Sequence, residues 1–160
     1  MLFRSLRHLK ELCALARVSG VTAAHDLAAL DYTNLLAVVG RLDDAAAQVA
    51  EGTDQARREG NAMALGMWTL FDGMVHLAAG RLSAARAAAE SLPPPQPTAV
   101  TELDMLRMVI LAEVAARTDD RTLLQQMVND ARDAYSSGSS GVGRGAAHVL
   151  ALAAWQRDGP

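Results

Sequence analysis

Asp72 and His76 are the pair in this sequence best spaced for acid–base chemistry. Four residues apart on a helix they share a face, so the carboxylate could orient the imidazole and the imidazole could carry a proton. Nothing nearby supplies a nucleophile or an oxyanion donor, and a plain surface or groove hydrogen bond between the two is the competing reading. The four histidines, His8, His25, His76 and His148, fall on four separate helical segments. None forms HExxH or another helix-borne metal spacing. Cys13 is the sole cysteine, which excludes an intrachain disulfide and a multi-cysteine metal site. With no identifiable base beside it, Cys13 reads as a small buried hydrophobe. The stretch "GSSGVGRG" (138–145) carries Gly138 and Gly143 at the spacing of a phosphate-binding loop. Arg144 and Gly145 stand where Lys and Ser/Thr are needed, and a helix precedes it where a strand should, so it reads as a linker. No catalytic residue, cofactor or metal is expected from these patterns.

Recognition is better served than catalysis. Met63, Met67, Trp68, Phe71 and Met74 crowd one helical stretch. They read either as core or, in part, as the lining of a groove, where adaptable Met and Trp surfaces hold a peptide or a small apolar ligand. Tyr32 and Asn34 on an earlier helix could extend that groove. The candidate partner or effector surface is therefore Tyr32, Asn34, Met67, Trp68, Asp72 and His76.

These residues depend on the helices that carry them. "VVGRLDDAAAQVAEG" (38–52) is echoed by "AAGRLSAARAAAESL" (78–92), with Gly40 and Gly80 forty positions apart. Leu2, Leu6, Leu9, Cys13 and Ala16 form one helical stripe that Gly20 ends. A second helix runs from about Thr22 to Val39, with Ala24, Leu27, Asp31, Leu35 and Val38 along one line. After Gly40, Asp43 and Asp44 suit an N-cap and first turn, and the next helix reaches Gly60. The pattern restarts in "NAMALGMWTLFDGMVHLAAG", closed by Gly80. Ser83 is placed to cap "AARAAAESL", and the prolines at 93, 94, 95 and 97 stop it. "TELDMLRMVILAEVAART", "TLLQQMVNDARDAY" and "AAHVLALAAWQRDGP" supply three more helices, with "SSGSSGVGRG" as the loop before the last. No strand-like alternation or hairpin dipeptide competes.

Corners near Gly40, Gly80, Asp119 and Gly159 make a beat of about forty residues. A recurring helix pair signals stacked helical hairpins, because one hairpin cannot bury both its faces and its neighbour must cover it. Glycine recurs at the corner since a left-handed backbone costs other side chains energy. Leucine follows two positions later as a plug, and alanines in the second helix let backbones approach closely. The expected fold is all-α, about eight helices in a right-handed superhelical stack over a single domain, 1–160. A plain antiparallel bundle is the alternative. In phase, the chain opens on a second-type helix and closes on a first-type one, so a piece of a longer array is expected, with terminal helices whose apolar faces favour self-association.

Bulk properties agree. Half the residues are hydrophobic but only 4% are aromatic, a composition for closely packed helices. A net charge of −3 gives no reason to expect nucleic acid. The basic face of the first helix, Arg4, Arg7, Lys10 and Arg17, is too small an excess for a membrane or nucleic-acid role. The amino terminus has no signal-peptide pattern and no apolar run is of membrane length, so a cytoplasmic place is expected.

"WTLFDGMVHLAAGRLSAA" resembles a tetratricopeptide unit: Gly73, Gly80, Leu82 and Ala85 match its small, corner, plug and second-helix alanine positions. Gly40, Leu42 and Ala45 match three of the same four. The forty-residue period departs from the usual thirty-four, and the first-helix aromatics are mostly missing. In this the chain more closely resembles the longer helical repeats of MalT-like, LuxR-family bacterial transcriptional regulators, which join an ATP-binding switch, a superhelical sensor array and a DNA-binding domain. That resemblance implies a non-catalytic sensor or protein-binding segment without the ATPase or the DNA reader, its partner a protein, a peptide or a small effector. The alternatives are a freestanding tetratricopeptide-like adaptor and a small helical enzyme using His76 and Asp72.

Overall fold

In the computed structural model, residues 2–19, 22–93, 101–136 and 143–158 are described. Over these the chain is all-α: α1 (Leu2–Ser19), α2 (Thr22–Val38), α3 (Leu42–Glu59), α4 (Ala62–Ala78), α5 (Leu82–Glu90), α6 (Glu102–Thr118), α7 (Arg121–Ser136) and α8 (Gly143–Asp158). Gly20, Gly159, the prolines at 94, 95 and 97, and residues 137–142 of the expected loop lie outside the described residues. The end of that loop is corrected: Gly143, Arg144 and Gly145 form the first turn of α8. The chain divides into two compact units, Met1–Gly80 and Arg81–Pro160, so the boundary falls on the second Gly-Arg-Leu corner.

The corners are built as their residues require. Gly40 and Gly80 have φ of 80° and 72°, in the left-handed region. The arginines that follow share a conformation, φ −84° and ψ 62° at Arg41 against φ −83° and ψ 68° at Arg81. In both, the alanine amide four positions on closes the first helical turn onto the arginine carbonyl, at 3.0 Å for Ala45 and Ala85 alike. Both alanines are fully buried. The sequence echo is thus a conformational echo. Asp119 takes the same left-handed role at φ 53° without being glycine. Its successor's amide donates to the Ala115 carbonyl, as the Arg41 amide does to that of Leu36, closing the helix end.

An added Cβ at Gly40 or Gly80 meets nothing within 4 Å, so only the backbone resists it. Gly40→Ala and Gly80→Ala are each expected to lower stability by about 1–2 kcal/mol, and Asp119→Gly to raise it by a smaller amount. Urea unfolding checks all three; a neutral Gly40→Ala would count against a fixed corner.

Two expected caps are corrected. Helices α3 and α5 begin at Leu42 and Leu82, and the cap residues are Arg41 and Arg81, which make no side-chain cap bond. Asp43, Asp44 and Ser83 therefore lie inside the first turn. Asp44 instead accepts from Arg41 Nε at 2.7 Å, which still sets a carboxylate against the positive end of the helix dipole. Side-chain caps occur elsewhere: Asn61 on α4, Asp120 on α7, and a Thr101–Asp104 capping box on α6.

In the first unit α2 is central, packing on α1, α3 and α4, while α3 and α4 also pack together. Leu6, Ala29, Leu30, Leu36, Ala45, Val49, Ala56, Trp68 and Val75 make its core. The stripe expected on α2 is corrected in part: Asp31 and Val38 are exposed, Leu35 is partly buried against the core, the side chains of Ala24 and Leu27 lie outside the described residues, and the buried face is Ala29, Leu30, Tyr32, Thr33 and Leu36. Thr33, buried on this face, donates its hydroxyl to the Ala29 carbonyl at 2.7 Å, so it stays satisfied.

In the second unit α6 is central, packing on α5, α7 and α8, with α7 on α8. Met105, Met108, Ile110, Leu111, Ala112, Val114 and Ala115 are buried along α6. Polar ties supplement them. Glu113 on α6 lies 2.9 Å from His148 Nε2 on α8 and 3.2 Å from Arg117. Gln156 donates to the Ala116 carbonyl at 2.6 Å, and Arg86 on α5 reaches Asp120 at 3.3 Å.

Candidate functional site

The six residues singled out on the sequence do not form one surface. Trp68 is only 2% exposed and belongs to the core, its ring edge-on to Phe71 with centroids 6.4 Å apart. It is packed over Gly52 of α3, where a Cβ would collide with the indole. Met67 is partly buried against the same core. Tyr32 and Asn34, two residues apart on α2, point about 200° away from one another: Tyr32 is buried and Asn34 exposed.

Asp72 and His76 are brought together, with Nε2 3.5 Å from Oδ2 on a half-exposed face of α4. That distance and exposure describe a surface pair, a class of interaction worth about 0–1 kcal/mol. Met63 is exposed at the start of the same helix and Met74 half-buried. Among the described residues no group of three His, Cys, Asp or Glu side chains is disposed to hold a metal ion, and no helix is long and apolar enough to cross a membrane.

A groove that the sequence did not single out lies between α7 and α8 in the second unit. It has a volume of about 890 Å³ and a floor of Leu124, Val128, Leu150, Ala153 and Ala154. Trp155 stands at its side, 60% exposed, and Arg121 and Arg132 lie along its α7 edge. Three turns of helix separate these arginines, roughly 16 Å. Arg121 is 3.3 Å from Asp119, while Arg132 has no ion pair among the described residues. The signal that could have found it was the tryptophan on the final helix, otherwise rich in alanine.

The two tryptophans therefore have opposite environments. Iodide is expected to quench most of the emission of Trp155 and little of that of Trp68, so Trp155→Phe should leave a blue-shifted, quencher-resistant spectrum. Equal quenching in both single-tryptophan variants would contradict the burial of Trp68.

Electrostatics beside the groove adds one pH dependence. Burial pushes the Asp130 carboxyl above its ordinary value of 3.8, Asp133 adds to the rise, and Arg107 offsets part of it. A raised carboxyl favours folding most below its unfolded value, and that contribution is lost as pH climbs through the folded one. Asp130→Asn is accordingly expected to be the more stable protein at neutral pH, with the gap closing as pH falls toward 3.8. Urea midpoints at the two pH values check this; a gap that widens in acid reverses the sign.

Over the described residues the architecture is all-α. No family model, curated protein or solved structure matches the chain.

Proposed function

We propose that the chain is a non-catalytic helical-repeat segment that binds a protein, peptide or small effector within a bacterial transcriptional regulator. The α7–α8 groove carries this reading. It joins an apolar floor to an exposed tryptophan and two arginines, the side chains that most often dominate binding energy in protein interfaces. The occupant that fits is an amphipathic helix, its apolar face on Leu124, Val128 and Leu150 and its carboxylates opposite Arg121 and Arg132.

The finer architecture belongs to the same proposal: tetratricopeptide-like hairpins, about forty residues each, in a right-handed superhelix, located in the cytoplasm. Its support is the shared backbone of the Gly40 and Gly80 corners. Self-association is part of it too, through Leu12, Leu15 and Val18 on α1 and Trp155 on α8, all exposed. Light scattering that finds a strict monomer at high concentration would remove that element.

The open reading frame decides the regulator reading. An ATP-binding domain encoded upstream and a helix-turn-helix downstream are expected; stop codons at both ends would turn the reading to an adaptor. His76→Ala is expected to change neither fold nor any turnover. An activity abolished by it would turn the reading to an enzyme.

A further inference from the structure

Helices α1 and α8 are short of opposite neighbours. The second-type helices α3 and α7 each pack on the first-type helix before and the one after: α3 on α2 and α4, α7 on α6 and α8. Helix α1, also second-type, packs in its unit on α2, the first-type helix after it. Conversely, the first-type helices α2 and α6 pack on second-type helices before and after, whereas α8 packs on α7, the one before. A second-type helix laid on α8 would complete that packing, and a first-type helix laid on α1 would complete the other.

The uncovered side of α1 is apolar. Leu6, Leu9 and Cys13 face the core around α2, while Leu12, Leu15 and Val18 are 52%, 66% and 88% exposed. Helices α1 and α3 are both 18 residues long and begin at Leu2 and Leu42, so their positions correspond one to one. The side of α3 turned toward α1 carries Gln48 and Glu51. The corresponding side of α1 carries His8 and Glu11, with Leu12 and Leu15 one turn beyond them and Val18 a turn further. These three residues therefore face where a preceding second-type helix would lie. Helix α7 is of that type.

The α7–α8 groove offers the matching surface. Its floor includes Leu124 and Val128, and two turns beyond Val128, on the same side of α7, stands Tyr135, 65% exposed. Laid on α8 as α3 is laid on α2, α1 runs antiparallel to α8 and parallel to α7. Its apolar half then lies toward Tyr135. Glu11 is one turn ahead of Leu15, as Arg132 is one turn ahead of Tyr135. This sets a carboxylate beside a guanidinium that has no ion pair among the described residues. Arg121, at the other end of α7, already has Asp119 3.3 Å away.

We infer that the helix seated in the α7–α8 groove is α1 of a second copy, so that the chain associates head to tail. Leu12, Leu15 and Val18 lie against Leu150 and Tyr135, and Glu11 meets Arg132. The inference deepens the groove reading, on which it rests, by naming the occupant. The contact is heterologous: a joined pair keeps one α1 and one groove free for further copies.

Sedimentation velocity on three proteins tests it: the full chain, a Leu12→Asp/Leu15→Asp variant blocked at α1, and a Tyr135→Asp/Trp155→Asp variant blocked at the groove. All four positions are exposed, so both variants should keep the parental circular dichroism spectrum. The parent should gain mass with concentration over ~10–500 μM. Each variant alone should stay monomeric. Mixed, the two should form a one-to-one dimer, since one brings the groove and the other the helix. Glu11→Arg should weaken the parent's association about tenfold, and Arg132→Glu added to it should restore it. Mixed variants that remain monomers overturn the inference. So does a variant that dimerises alone, because α1 on α1 or groove on groove is then the contact. A parent that is monomeric throughout overturns it as well, while the regulator reading still stands or falls on the flanks of the reading frame.

Discussion

Gly52→Ala is expected to destabilise the protein by about 2 kcal/mol, although helix propensity alone favours it by about 1 kcal/mol. Gly52 lies in the interior of α3, where alanine ordinarily replaces glycine at a gain. Here the new methyl would occupy the space of the Trp68 indole, meeting its Cδ2, Cε2 and Cζ2 atoms. The ring cannot step aside cheaply, because it is 2% exposed and packed edge-on to Phe71. Either the ring leaves its rotamer or α3 and α4 move apart, and each forfeits close packing.

A double-mutant cycle separates this from a general intolerance of the site. Trp68→Ala alone should cost about 3–5 kcal/mol by opening a cavity. In that background the Gly52→Ala methyl fills vacated space and gains its helix propensity, so its effect should change sign. The coupling expected from urea unfolding is then about 3 kcal/mol. Additive effects, or a single Gly52→Ala variant more stable than the parent, would show that glycine and indole do not share this contact.

Ala45→Leu is the second large effect expected, with a loss of about 1–3 kcal/mol. Leucine is nearly as good a helix former as alanine, so propensity does not account for a loss of this size. Ala45 is fully buried on α3, which packs against both α2 and α4. Three additional carbons there must push those helices apart. Ala46, its exposed neighbour, supplies the control: Ala46→Leu should stay within about 0.5 kcal/mol of the parent. Ala85 holds the matching place after the Gly80 corner and is equally buried, so Ala85→Leu should behave like Ala45→Leu. Equal tolerance at 45 and 46 would mean that the recurring alanine is compositional and not a packing requirement.

Local features were legible because they depend on near neighbours in the chain. A left-handed residue closes a helix, so Gly40, Gly60, Gly80 and Asp119 mark helix ends that could be read directly. Helical spacing likewise placed Asp72 beside His76. Cap chemistry was less legible. Asp43, Asp44 and Ser83 are good capping types, yet the corner places arginine at the cap and starts the helix one residue later, at leucine.

The sequence by itself determined an all-α chain with a corner repeated at forty residues, since glycine placement and helical period act over a few residues. Only tertiary structure decided which faces are interior. Helices α2 and α4 are apolar around most of their circumference, so periodicity cannot choose between Leu35 and Leu36, or place Trp68 in the core instead of a groove. That choice is made by residues distant in sequence. Gly52 leaves room for an indole sixteen positions later, and α1 and α3, both packed on α2, leave a cleft that Tyr32 lines. The energy of burial depends on what lies across the contact, and that partner is absent from any local stretch of the chain.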